Sequence, residues 1–196
     1  MFAQARAAIV ATLFFTLLLG VGYPLVVTAI AQVAFPSQAG GSLIRDAGGQ
    51  VVGSSQLAQS FTRPEYLHPR PSAAGANGYD ATGSSGSNLG PLNPALAERV
   101  KKDADGLRAE GSGAIPADAV TTSASGLDPH ISPENAQRQA ARIAAARGAD
   151  PAAVERFIAA RIGAPALGVL GQPTVNVLTT NLALDAAFPR RQRPAQ

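Results

Sequence analysis

From Ala7 to Phe35 the chain carries no charged residue. As a helix rising about 1.5 Å per residue, that stretch would run to roughly 43 Å, more than the ~30 Å hydrocarbon core of a bilayer. Ala7 to Leu19 is apolar apart from Thr12 and Thr16, whose hydroxyls can bond back to the preceding turn, and Leu25 to Phe35 resumes the pattern. Between them Gly20, Gly22 and Pro24 interrupt it, which predicts a kink near Pro24; membrane helices tolerate such residues.

The competing reading is a cleaved signal peptide, with Arg6 as its basic flank, Ala7 to Leu19 as its apolar core and Ala29-Ile30-Ala31 as an A-x-A site. Two features favour a retained anchor. The apolar character continues past that site to Phe35, and the gap from Leu19 to Ala31 is long for a signal peptide. Arg6 precedes the span, while Arg45 and Asp46 are the first charges after it. The positive-inside tendency therefore puts residues 1–6 in the cytoplasm, 7–35 in the membrane and everything after Phe35 outside the cytoplasm. The absence of cysteine fits either compartment.

After the anchor there is room for one domain with a modest core, residues 36–189. The formal charge of +3 comes from Arg190, Arg191 and Arg193 in the tail, residues 190–196, which reads as a basic, disordered end able to meet lipid headgroups. A near-neutral body without Trp, whose two lysines are Lys101 and Lys102, excludes a nucleic-acid footprint, which needs a clustered basic face with aromatics beside it.

Branched residues of Ser42 to Arg45 and Gln50 to Gly53 flank a glycine turn, predicting a β-hairpin that Ser55 to Phe61 could extend. Arg63-Pro64 then opens an irregular region, rich in Gly, Pro, Ser and Asn, that lasts to Pro94. Asn93-Pro94, Ser132-Pro133 and Asp150-Pro151 each place a capping side chain before a proline, announcing three helices. Leu96, Val100 and Leu107 form the buried stripe of the first, opposite Lys101, Lys102, Asp103 and Arg108. Ala136, Ala140, Ile143 and Ala144 form a narrow stripe in the second, with Gln139 at its edge and Gly148 as its left-handed stop. Val154, Phe157, Ile158 and Ile162 form the stripe of the third. Val175-Asn176-Val177 reads as a short strand and Leu178 to Phe188 as a last helix closed by Pro189. The fold class is α+β: one transmembrane helix, then an extracytoplasmic domain with a small sheet and about four helices.

Enzyme signatures are missing. With no cysteine and only His68 and His130, thiolate and three-histidine zinc sites are excluded, and Asp128-Pro129-His130 reads as a turn before it reads as a metal pair. There is no G-x-S-x-G elbow. The run Gly83 to Gly90 lacks the lysine of a P-loop; it is a structural turn, a protein-docking loop or an anion nest.

The succession of segments carries a resemblance. Tyr66 to Ala73, Tyr79-Asp80-Ala81, Ser87 to Pro94, Ser125 to Pro133, Gly171 to Val177 and Asn181 to Asp185 together resemble the KdpC family, the small accessory subunit of the bacterial Kdp potassium-transporting P-type ATPase. The resemblance implies a subunit of a bacterial inner-membrane complex in which one partner conducts potassium and another hydrolyses ATP. This chain would hold neither activity and no tightly bound cofactor, acting as a catalytic chaperone that raises the ATP affinity of the hydrolysing subunit. The family's Q-x-x-R pattern, linked to nucleotide, falls on Gln139 and Arg142. Arg70, Pro71, Ser72, Asn88, Leu89, Gly90, Asn93, Asp128, Pro129 and Asn176 lie in the motifs and are expected to be partner contacts or structural. Leu67 stands where the family often has an aromatic. A domain outside the cytoplasm cannot bring Gln139 to ATP, so any effect on nucleotide affinity would have to cross the membrane by coupling. Outside the family, the alternative is an extracytoplasmic binding module, anchored or signal-cleaved and unrelated to transport.

Overall fold

A computed structural model describes residues 2–111 and 113–189; the predicted tail, 190–196, lies outside them. The chain divides into two compact units, one up to Val52 and one from Gly53 onward.

In the first unit, Gln4–Ala34 is a helix of 31 residues containing an 18-residue stretch of mean hydropathy 2.1, none of that stretch buried inside the protein; it is long and apolar enough to cross a membrane. It is not α-helical throughout. Between α1 (Phe2–Leu17) and α2 (Tyr23–Ala34), Leu18–Gly22 forms a π turn in which the Tyr23 N–H donates to the Leu18 carbonyl. The predicted interruption at Pro24 thus takes the form of a widened turn just before it. Proline has no N–H for the α ladder and its ring clashes with the carbonyl four residues back; a π turn relieves that clash and reroutes the hydrogen bonding.

The helix ends at Phe35, and a short α3 (Pro36–Ala39) leads to the predicted hairpin, β1 (Leu43–Arg45) with β2 (Val51–Ser54). One oxygen of Asp46 accepts from the N–H groups of Gly48 and Gln50, both at 2.9 Å, and fixes the turn. Ser55 to Phe61 does not extend the sheet: the Ser54 hydroxyl accepts from the Gln56 N–H at 3.1 Å and starts a turn instead.

In the second unit the three proline-capped helices are where the caps put them. Asn93, Ser132 and Asp150 accept from helical N–H groups at the starts of α4 (Pro94–Glu110), α5 (Pro133–Arg138) and α7 (Pro151–Ala159). The helix after Ser132 is not continuous: it breaks at Gln139, and α6 (Ala140–Arg147) follows, stopped by Gly148 at φ 63°. Val175–Asn176 is β4, pairing antiparallel with β3 (His130–Ile131), a strand with no sequence signal of its own. Asn176 then caps α8 (Val177–Ala187).

The core gathers Leu67, Ile131, Val175, Val177 and Leu184 around the alanine face Ala136, Ala140 and Ala144, with Val154 and Ile158 of α7 against it. Small side chains spaced four apart let helices approach closely. α4 contributes no buried residue, and Asp103, expected on its wet side, is half-buried.

The irregular region stays without helix or strand from Ser55 to Asn93 and is ordered by single polar atoms. The Ser72 hydroxyl donates to the Gly126 carbonyl at 2.6 Å and accepts from the N–H groups of Ala74 and Tyr79 at 3.1 and 2.8 Å. Gly126 sits at φ +66°, where an added Cβ would lie 2.5 Å from the Ser85 oxygen and 2.8 Å from the Ala74 nitrogen, both backbone atoms. Gly126→Ala should therefore lower the unfolding free energy by about 2 kcal/mol or more, checked by thermal unfolding followed by circular dichroism.

Candidate functional site

Residues 64–68 leave a turn, closed by the Tyr66 N–H donating to the Arg63 carbonyl at 3.2 Å, and enter the core at Tyr66 and Leu67 without strand partners, so their other backbone polar groups need hydrogen bonds of a different kind. Long side chains of α6, α8 and the α5–α6 junction supply them. Arg142 Nη1 donates to the carbonyls of Pro64 and Tyr66 at 2.6 and 3.1 Å, and Arg147 Nε to that of Glu65 at 2.9 Å. The Asn181 amide closes on Leu67, accepting from its N–H at 2.7 Å and donating to its carbonyl at 3.0 Å. The Gln139 amide does the same to His68, at 2.8 and 3.2 Å. Leu67 itself is fully buried; an aliphatic fills the place expected of an aromatic without leaving the core.

Gln139 is more deeply placed than an edge position. It is buried, its oxygen also accepts from Arg142 Nη2 at 2.6 Å, and its nitrogen also donates to Asn135 Oδ1 at 3.2 Å. Two acceptances and two donations are the full capacity of an amide. The helix break at Gln139 allows this, since the chain turns where the side chain must face the segment. Arg142 has its Nε buried without a hydrogen bond, with the Glu110 carboxylate 4.0 Å away. Burial first, then the Arg142 charge, hold the His68 imidazole below its ordinary value. A cavity of ≈ 470 Å³ opens beside Arg138, Gln139 and Arg142, and one of ≈ 440 Å³ beside His68 and Lys102.

Arg147 was not singled out by the sequence. Its side chain is wholly buried and reaches the carbonyls of Leu184 and Phe188 at 3.2 and 2.9 Å, the Asp185 carboxylate at 3.0 Å and the Tyr66 ring at 5.3 Å. The Leu184 and Phe188 carbonyls lie at the C-terminal end of α8, where the helix dipole favours a cation, and that of Leu184 also accepts from the Phe188 N–H at 2.9 Å. Tyr66 hydroxyl donates to the same Asp185 at 2.9 Å. The available signal was spacing: Arg147 continues the apolar stripe Ala140, Ile143, Ala144, and Asn181 lies on that of Val177 and Leu184, so each is a polar residue on a buried face.

The other candidates fall into two groups. Arg70, Asp128, Pro129 and Asn176 come together. Arg70 pairs with Asp128 at 3.0 Å, and Asp128 accepts from the His130 N–H at 3.0 Å. Asn176 Nδ2 lies 3.4 Å from the His130 ring and donates to the Ser55 carbonyl at 2.9 Å, while the Pro129 carbonyl accepts from the Val177 N–H at 2.9 Å. Ser72 follows Arg70 and the half-buried Pro71 in chain order and orders the loop described above. Asn88, Leu89, Gly90 and Asn93 form no hydrogen bond or ion pair with either cluster among the described residues. Asn88 is exposed at φ 52°, Leu89 half-buried and Gly90 exposed, and the Asn93 side chain caps α4. No group of three or more His, Cys, Asp or Glu among the described residues is placed to hold a metal ion.

A helix long and apolar enough to cross a membrane thus precedes an α+β unit whose candidate polar side chains close largely on its own backbone. The family described as K+-transporting ATPase, c chain (KdpC) matches residues 5–186. Proteins named Potassium-transporting ATPase KdpC subunit are similar at full length. That of Caulobacter vibrioides is 60% identical over 190 residues, 96% of each chain. That of Beijerinckia indica subsp. indica is 55% identical over 197 residues, 99% of each. That of Geobacter sulfurreducens is 52% identical over 187 residues, 95% of this chain and 99% of the relative. The chain belongs to the KdpC family.

Two outcomes test the electrostatics. Arg147→Met should cost about 3 kcal/mol of stability, because it strips buried acceptors of their donor. Arg63→Met, at the exposed side of the same Tyr66 ring, should cost less than about 1 kcal/mol; denaturant unfolding of the two variants compares them. Asp128 is held below the usual carboxylate value of 3.8, first by the His130 side-chain hydrogen bond, then by the His130 N–H and Arg70, against the opposing effect of burial. Its charge therefore stabilises the fold above that value, and the gain is lost as pH falls through the lower folded value. Asp128→Asn should be less stable than the parent at pH 7, with the gap closing below about pH 4 in a pH series of melting temperatures.

Proposed function

We propose that this chain is the non-catalytic accessory subunit of a high-affinity, ATP-driven potassium-uptake complex of the bacterial inner membrane. One partner carries potassium and another hydrolyses ATP. The chain crosses the membrane once with its N-terminus in the cytoplasm, and the unit from Gly53 onward stands outside. It stabilises the assembly, and it raises the ATP affinity of the hydrolysing partner as a catalytic chaperone by coupling across the membrane rather than by touching the nucleotide. Membership of the KdpC family and the Gln4–Ala34 helix support the setting.

The observation that carries the mechanism is the saturation of Gln139. An amide already making four hydrogen bonds to His68, Asn135 and Arg142 would have to release the His68 backbone or a side-chain partner before it could bind adenine or phosphate. Its role in this reading is to hold that backbone rigid. Rigid transmission suits an effector that acts at a distance, because coupling needs a body whose state the distant site can sense.

The chain has no cysteine, so a single Asn77→Cys substitution in an exposed loop reports sidedness cleanly. Labelling by a membrane-impermeant maleimide in intact spheroplasts is the expected result. Protection until the membrane is opened would place the domain beside ATP and make direct contact through Gln139 and Arg142 the better reading.

A further inference from the structure

The turn between α7 and β4 exposes apolar side chains that the fold does not require. Leu167 is 90% exposed, Val169 79% and Leu170 59%. The turn is tightly closed at its base, where Gly163 and Thr174 exchange backbone hydrogen bonds of 2.7 and 3.1 Å. Leu167 also sits at φ 54°, a left-handed conformation that glycine or asparagine would adopt with less strain. Exposure and strain thus coincide at one tip, and neither is repaid by packing inside the second unit.

We propose that this tip inserts shallowly into the bilayer that the chain's own anchor crosses, at the boundary between headgroups and acyl chains. Three observations select lipid over a protein groove. First, no ionisable side chain occurs from Ile162 to Leu184, so no charge on the tip opposes entry into an apolar phase. Second, four of the five N–H groups from Ala166 to Leu170 donate within the turn, to the carbonyls of Pro165, Ala166 and Leu170, and a backbone satisfied by itself is what entry into lipid demands. Third, the tip offers aliphatic side chains without the Trp, Tyr or Arg that anchor protein interfaces, where leucine and valine are under-represented. Three aliphatics give weak binding alone. A tether turns that into a local event at high effective concentration, and buried apolar area then sets the strength.

The inference rests on the anchoring reading, and its test separates the two. Single cysteines at Val169, Asn77 and Ile30 in the full chain, each carrying an environment-sensitive fluorophore, are compared in phosphatidylcholine vesicles containing lipids spin-labelled near the glycerol end of the acyl chain. The Val169 probe should shift to the blue and lose most of its intensity, insensitive to salt, while the Asn77 probe stays water-like. A Val169 probe matching Asn77, with Ile30 quenched, overturns the insertion and leaves the anchor intact. An unquenched Ile30 overturns both. A Val169 probe shielded from water but untouched by spin-labelled lipid once the partner subunits are present assigns the tip to a protein contact and also overturns the proposal. Leu167→Ser with Leu170→Ser should return the Val169 probe to the water-like signal without changing circular dichroism, since both side chains are exposed.

Discussion

The second unit depends on how the backbone around the buried Tyr66 and Leu67, which has no strand beside it, is satisfied. Residues 64–68 pass from an exposed turn at Pro64 into the core at Tyr66 and Leu67 with no ladder beside them, and the guanidinium groups of Arg142 and Arg147 and the amides of Gln139 and Asn181 bind their backbone instead. Each such bond adds only about 1 kcal/mol net, but leaving its backbone partner bare costs up to about 3 kcal/mol. The arrangement is therefore close to all-or-none. It also fixes α6 against α8, because Arg147 holds the end of α8 and the segment with one head group.

This constraint changes what the helix glutamine means. As a residue pattern, Gln139 and Arg142 look available to a ligand; as groups in space, they grip the backbone of residues 64–68 and each other. The Arg70, Asp128, His130 and Asn176 cluster is built the same way, ending on the carbonyl of Ser55. The polar groups of both clusters serve internal order. Features that face outward include the Asn88 loop and the aliphatic tip at Leu167 to Leu170.

What could be read from the sequence was local. The caps at Asn93, Ser132 and Asp150, the glycine stop at Gly148, the alanine stripe and the Asp46 turn each depend on residues a few positions apart and are found as expected, whereas the stripe of α4, Leu96, Val100 and Leu107, is not buried. The break at Gln139 was not legible, because an alanine-rich pattern continues through it and the hydrogen bond that accompanies it is to His68, 71 residues away. β3 was missed for a similar reason: His130–Ile131 is two residues long and exists through its pairing with Asn176 and Val175. Arg147 and Asn181 could have been found as polar residues on apolar stripes, but nothing local says which backbone they serve. The π turn was half-read, since Pro24 announces an interruption without choosing between bend and bulge.

The distance along the chain between the segment and its clamps has a consequence for biosynthesis. Leu67 waits for Asn181, 114 residues later, and Glu65 for Arg147, 82 residues later. A chain made from its N-terminus places its apolar helix first and residues 64–68 soon after, long before the groups that will hold them exist. Contacts of such long sequence separation form late and slowly. The nascent domain thus passes through a stage in which Tyr66 and Leu67 are exposed and their peptide groups open, ending only when α8 has been synthesised. Quality control of this protein, by chaperone or protease, has its natural recognition point there.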